Sequence, residues 1–191
     1  MPKAVMISIH PEWCDKIAYL RNEKGMLMAT PGLKGEEVRK TAPNLPVPFK
    51  CYIYCTKDNG LYSGGEIFFI YDCYGAPINE GNGKVIGEFI CNAVHRYAAA
   101  APEQMRMLSK RSCVPVGELV AYAGDSGGLY GLGISKLTIY KEPKSLWHFC
   151  KPCDPDPQCD CNYCRTHGRS PDKRLKRAPQ SWCYVEEVNS T

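Results

Sequence analysis

The sequence predicts an α+β chain of mostly short strands, a small mixed β-barrel with a few flanking helices and a Cys-rich insertion. Three observations predict it. Apolar runs of strand length recur along the chain, at residues 4–8, 51–55, 66–71 and 129–140 among others. Helical periodicity is confined to the stretch after Pro11 and to residues 102–123. Five of the twelve cysteines crowd into residues 150–164, a segment poor in apolar side chains.

Taken in order, residues 4–8 form the first strand candidate. Pro11 suits the first helical turn, where its missing N–H would have no partner anyway. The helix it starts runs to about residue 21, with Trp13, Ile17, Leu20 and Cys14 as its buried stripe. Residues 22–31 are a loop-like insertion whose Met26-Leu27-Met28 packs locally or covers a cleft. Residues 36–41 and 50–56 are adjacent strand candidates joined by a Pro-rich connection, and Lys57-Asp58-Asn59-Gly60 carries an Asn-Gly turn signal. Residues 66–71 read as an inserted hairpin partner and 84–94 as a long strand. Two short helices broken near Pro115 fill 102–123, and strands return at 129–140 and 182–188.

A chain of 191 residues is long enough for one domain with a real core. Hydrophobic residues at 44% and charged residues at 23% give an ordinary globular balance. A net charge of +4 permits nucleic-acid binding without arguing for it. No apolar run reaches the length of a membrane span, and the N-terminus lacks a signal-peptide stretch, so the expected location is the cytoplasm.

In a reducing compartment, twelve cysteines read as buried apolar residues or metal ligands. Cys14, Cys51, Cys55, Cys73, Cys91, Cys113 and Cys183 are dispersed and read as core. Cys150-x-x-Cys153 and Cys161-x-x-Cys164 instead form two knuckles, the way a structural tetrahedral zinc takes two ligands from each of two tight turns. Cys159 and His167 are substitutes for one of the four. The same segment also reads as a loop of reduced thiols. Residues 165–177 follow with six Lys or Arg against one Asp, a phosphate-backbone contact or simply a solvated basic loop. Residues 1–149 and 179–191 are thus expected to form the main domain, with 150–178 inserted.

The polar pattern that stands out is Gly32-Leu33-Lys34-Gly35-Glu36-Glu37-Val38-Arg39. On a strand, Glu37 and Arg39 project from one face and Val38 from the other, with Lys34 at the mouth of the same face. Such a set suits a ligand with phosphate or base edges. It is equally the pattern of a solvated edge strand with a Glu–Arg pair.

This G-x-K-x-x-E-x-R pattern resembles the signature of the ASCH domain family, which has a PUA-like fold. The opening Ile7-Ser8-Ile9-His10-Pro11-Glu12-Trp13 resembles that family's first strand and helix, and Gly83-Lys84-Val85-Ile86-Gly87-Glu88-Phe89 its central strand. Leu129-Tyr130-Gly131 and the closing Pro179-Gln180-Ser181-Trp182 resemble the ends of phage and prophage members. The resemblance implies binding of RNA or a modified nucleotide, with Lys34, Glu37 and Arg39 as ligand contacts and Lys57 as a weaker addition.

Two other functions follow from the same resemblance. Some small ASCH proteins hydrolyse N4-acetylcytidine with the signature lysine, a threonine and a strand glutamate. Here Lys34 and Glu88 match, but Glu37 stands where the threonine would be, and a carboxylate does not replace a hydroxyl nucleophile. Ribonuclease-like chemistry would use Lys34 to stabilise charge on phosphate. A phage-encoded factor that sequesters a nucleotide would use the same cleft, and one that blocks a host protein would use the insertions at 22–31 and 150–177.

Overall fold

The computed structural model describes residues 2–19, 34–57, 67–72, 74–152 and 173–188. Its strands are β1 (Lys3–Ile9), β2 (Glu36–Arg39), β3 (Phe49–Cys55), β4 (Phe69–Tyr71), β5 (Pro77–Glu80), β6 (Val85–Ala98), β7 (Gly128–Lys144) and β8 (Trp182–Glu186). Its α-helices are α1 (Pro11–Ala18), α2 (Pro102–Ser112) and α3 (Val116–Ala123). The strands form a six-stranded sheet, order β2-β7-β6-β3-β1-β8, and a separate β4-β5 pair. The α+β class is as expected, and what stands of the expected barrel is this mixed sheet. The strand candidates at 36–41 and 50–56 are consecutive in the chain, but β7 and β6 intervene between them in the sheet. The chain divides into two compact units.

The first unit comprises Met1–Pro11, Lys50–Gly87 and Tyr140–Thr191. Its central strand β1 pairs in parallel with β3, Val5 opposite Cys51 through Ile9 opposite Cys55. On its other edge β1 pairs antiparallel with β8, Lys3 opposite Glu186 through Ile7 opposite Trp182. Ala4, Val5, Met6 and Ile7 are all fully buried, which explains why this strand reads as a continuous apolar run without alternation. Ala4, Met6, Tyr52, Tyr54, Val85, Phe149, Leu175 and Val185 make the core on one side. There the Tyr52 and Phe149 rings meet edge to face at 4.8 Å.

The expected hairpin partner at 66–71 is β4, which pairs with β5. Asp72 Oδ1 closes the turn by accepting from the Tyr74 and Ala76 N–H groups, both at 2.9 Å. Gly75 supplies the positive φ, 82°, that this turn requires.

The second unit comprises Glu12–Phe49 and Glu88–Ile139. Its short strand β2 pairs antiparallel with β7, Glu36 opposite Gly133 through Arg39 opposite Tyr130. Helix α2 starts on Pro102 with Glu103 in its first turn and Lys110 and Arg111 in its last, each charge suited to the helix dipole. It buries Met105, Leu108 and Ser112 at helical spacing and ends on Cys113, whose φ of 57° is the left-handed cap. Helix α3 adds Leu119 and Ala123 to a core shared with Val38, Tyr97 and Leu129. Burying Leu108 and Leu119 completely stabilises this packing by about 1.5–3 kcal/mol each. Among the described residues no helix is long and apolar enough to cross a membrane.

The cysteine reading needs correction in part. Cys14, Cys51, Cys55 and Cys91 are buried as expected, whereas Cys113 and Cys183 are only half-buried and Cys73 lies outside the described residues. Cys113 occupies a helix end, where the chain turns back toward solvent, and so loses its place in the core.

Candidate functional site

Strand β2 carries the site because its side chains alternate while the whole strand is buried. Glu36, Glu37, Val38 and Arg39 are all buried, 2–7% exposed. Val38 points into the core beside Leu108 and Tyr97, so Glu37 and Arg39 take the opposite face, as the spacing predicts. In the cross-strand register Leu132 faces Glu37 and the half-buried Tyr130 faces Arg39, which places both β7 side chains on that same face. Just before β2, the Gly35 N–H donates to the carbonyl of Arg111 at 2.8 Å, and its own carbonyl accepts from Ile134 N–H at 2.9 Å. The last turn of α2 and strand β7 thus hold the turn that presents Lys34.

Lys34, Glu37 and Arg39 converge. Lys34 Nζ lies 2.5 Å from Glu37 Oε2. Arg39 Nη1 pairs with Glu37 Oε1 and also donates to the Val38 carbonyl at 2.7 Å. The three side chains are 2%, 3% and 9% exposed, so the expected position of Lys34 at an open mouth becomes a buried one. Burial pushes the Glu37 carboxyl up, but Arg39 and Lys34 outweigh it and hold the pKa below its ordinary 4.5.

This shift has a sign that can be measured. A folded-state pKa below the unfolded one means that the unfolded chain binds the extra proton. The contribution of Glu37 to stability is therefore complete above its ordinary 4.5 and lost as pH falls through the lowered folded value. Urea midpoints taken from neutral to acid pH should fall less steeply in Glu37→Gln than in the unaltered protein. Parallel curves would contradict the assignment.

Trp13 belongs beside this cluster and not in the core stripe where the helical spacing puts it. It is half-buried, with Lys16 Nζ 3.8 Å and Lys34 Nζ 5.2 Å from its ring centroid. Cys14, Ile17 and Ala18 form the buried stripe of α1 instead, and Leu20 lies outside the described residues. Lys57 is exposed and belongs to the first unit; it follows β3, which is not a sheet neighbour of β2. Glu88 is half-buried on β6.

A second polar cluster was not foreseen. Glu36, on the Val38 face of β2, accepts from Tyr97 Oη at 2.9 Å and meets His95 Nδ1 and Arg111 Nη1 at 2.9 Å each. The available signals were the His95-x-Tyr97 spacing, which puts both on one face of β6, and the acidic residue next to Glu37.

Of the proposed zinc ligands, Cys150 is buried and described, while Cys153, Cys161 and Cys164, with Cys159 and His167, lie outside the described residues. So do residues 22–31 and the Asn59-Gly60 turn. The neck of the Cys-rich segment is held closed. Lys151 N–H donates to the Lys173 carbonyl at 2.8 Å, and Leu175 N–H to the Phe149 carbonyl at 2.9 Å. Among the described residues no group of three or more His, Cys, Asp or Glu side chains is placed to hold a metal.

No family model matches the sequence, and no curated protein matches it. Comparison with solved structures finds crystal structures of two single-residue variants of an ASCH protein from Zymomonas mobilis. One is 13% identical with a TM-score of 0.54, covering 97% of this chain and 92% of the other. The second is 12% identical with a TM-score of 0.54, covering 96% and 89%. Identities this low carry the fold and not the phage-type pattern that the chain's ends resemble. What is shared extends over nearly the whole of both chains, and the chain has the ASCH fold.

Proposed function

We propose that this chain is an ASCH-family protein that binds RNA or a modified nucleotide through Lys34, Glu37 and Arg39. The observation that carries the reading is two buried cations, Arg39 on β2 and Lys34 just before it, set against the one carboxylate of Glu37. In such a low-dielectric setting their attraction for a phosphate or base acceptor is weakly screened. Glu37 pre-orients both cations and competes with the incoming anion, so a ligand must offer more than charge. Trp13 and Tyr130 supply that, since a base can stack on a half-buried ring.

Glu37 itself favours binding over proton transfer. Held ionised, it is an acceptor and a weak base, poorly matched to general acid–base work near neutral pH. The hydrolase reading, which needs a nucleophile or proton carrier at this position, is the weaker of the two.

Fluorescence anisotropy with a labelled single-stranded RNA tests the proposal. Lys34→Met should weaken binding about tenfold, or 1.4 kcal/mol, and lower the salt dependence by about one phosphate contact. Trp13→Ala, farther from the ion pairs, should weaken it by about 1–3 kcal/mol if the ring stacks on a base. Unchanged affinity in both variants would refute the site. Far-UV circular dichroism of each variant separates a lost contact from a lost fold.

We propose in addition that residues 150–178 form a basic insertion organised by a structural zinc on Cys150, Cys153, Cys161 and Cys164. The closed neck that anchors Cys150 supports it, because the first knuckle then starts from a fixed point. When bound, a metal with four thiolates would hold structure and leave no open position for chemistry. Elemental analysis of protein made without a metal-affinity tag should give about one zinc per chain. A value near zero would contradict it.

A further inference from the structure

The Glu36 cluster lies on the face of β2 away from Lys34, Glu37 and Arg39, and the function proposed above leaves it unused. Its chemistry is directional. A carboxylate offers acceptors alone, so the His95 Nδ1 that faces Glu36 Oε1 at 2.9 Å is the ring's donor. The other ring nitrogen, Nε2, is then the acceptor of the singly protonated tautomer. Arg111 likewise turns one nitrogen inward, with Nη1 reaching Glu36 Oε1 at 2.9 Å and Tyr97 Oη at 3.2 Å. Its Nε and Nη2 remain as donors.

The anchors are buried and the working ends are not. The Glu36 side chain is 5% exposed, whereas those of His95 and Arg111 are 47% and 46% exposed. Among the described residues neither of these two side chains makes a further hydrogen bond or ion pair. Tyr97 braces the arrangement with its hydroxyl on Glu36 and its ring edge-on to His95, centroids 6.3 Å apart. Gly131 on β7 leaves the space that the carboxylate fills; a Cβ there would sit 2.9 Å from Glu36 Cδ and 3.1 Å from a Tyr97 ring carbon.

One buried acid thus holds the Arg111 donor pair and the His95 ring edge side by side at the surface. A bare anion meets the charge of Arg111 but gives the His95 acceptor no donor, and a neutral hydroxyl compound can bond to both without matching the Arg111 charge. The geometry points to a second binding site, for a ribose phosphate: Arg111 takes the phosphate oxygens, and His95 Nε2 accepts the proton of the adjacent sugar hydroxyl. The site distinguishes ribose from deoxyribose because without the hydroxyl the His95 acceptor gains no partner. It uses none of the Lys34 set and stands whether or not that set binds anything.

The test reads the His95 ring directly, by heteronuclear NMR of the full chain with labelled histidine. His95→Gln identifies its signals among the four histidines. Uridine 3′-monophosphate at about 10 mM or below should move those signals. The 2′-deoxy compound should need about 2- to 10-fold more, the cost of one neutral hydrogen bond. Arg111→Gln should abolish the shift and Arg111→Lys retain part of it; both substitutions are at an exposed side chain and spare the core. A hexauridylate acting at lower concentration would assign the site to an RNA strand, and one acting at the same concentration to a free nucleotide. His95 signals that stay still, or that respond equally to the ribose and deoxyribose compounds, would overturn the proposal.

Discussion

Arg39→Met should cost about 3–5 kcal/mol of stability, the loss expected when one partner is removed from a buried ion pair. The Arg39 side chain is 9% exposed and pairs with a Glu37 carboxylate that is itself 3% exposed. Methionine fills much of the same space, so the loss would come from charge and hydrogen bonding more than from a cavity. Lys34, 2.5 Å from the other carboxylate oxygen, would be left as the closest cation to Glu37. The comparison that isolates this effect is the double variant Arg39→Met with Glu37→Gln. Removing the carboxylate as well leaves the buried Lys34 without its partner, so the double variant should recover little of the loss, because desolvating an unpaired charge is costly whichever sign it carries. Urea unfolding of the four proteins in the cycle checks it. A single-variant loss under about 1 kcal/mol would mean that the pair is effectively solvated, as surface pairs are.

Gly131→Val is the second large effect, expected to cost about 1–3 kcal/mol through overpacking. Valine suits a strand backbone, so propensity alone would make this substitution favourable. What opposes it is space, since the new Cβ meets the Glu36 carboxyl and the Tyr97 ring. Glu36 is held from three sides and cannot swing clear without releasing His95 and Arg111. The variant should therefore disturb the His95 NMR signals as well as lower stability. Gly117 on α3 is the control, because a Cβ there meets nothing within 4 Å. Gly117→Ala should be neutral or stabilise by up to about 1 kcal/mol, as expected for replacing glycine within a helix. Equal losses at both glycines would show that the effect is not one of local space.

How far the sequence spoke depended on distance along the chain. The alternation on β2 was legible because Lys34, Glu37 and Arg39 are near neighbours whose geometry follows from strand period alone. The helix break at Pro115 was legible for the same reason, since proline acts on its own turn. The Glu36 cluster was not, because its partners lie 59, 61 and 75 residues downstream. Only the strand order β2-β7-β6 and the packing of α2 bring them together. Strand ends were also missed. Residues 84–94 and 129–140 belong to strands that continue to Ala98 and Lys144, past the point where the apolar pattern fades. Of their final residues only Tyr97 is buried, while residues 141–144 are exposed or half-buried, so hydropathy carries little record of these ends. The burial of Lys34 was hidden too, for a lysine between Leu33 and Gly35 reads as solvated until its carboxylate partner is seen to be inside.

The central claim, that RNA or a nucleotide is held beside β2, is tested most directly by photo-crosslinking a short uridine-rich RNA to the full chain and mapping the modified peptides by mass spectrometry. The account predicts crosslinks on Trp13 and on the peptide containing Lys34 and Arg39, reduced in Lys34→Met. Crosslinks confined to the basic segment at 165–177, unchanged in that variant, would contradict it.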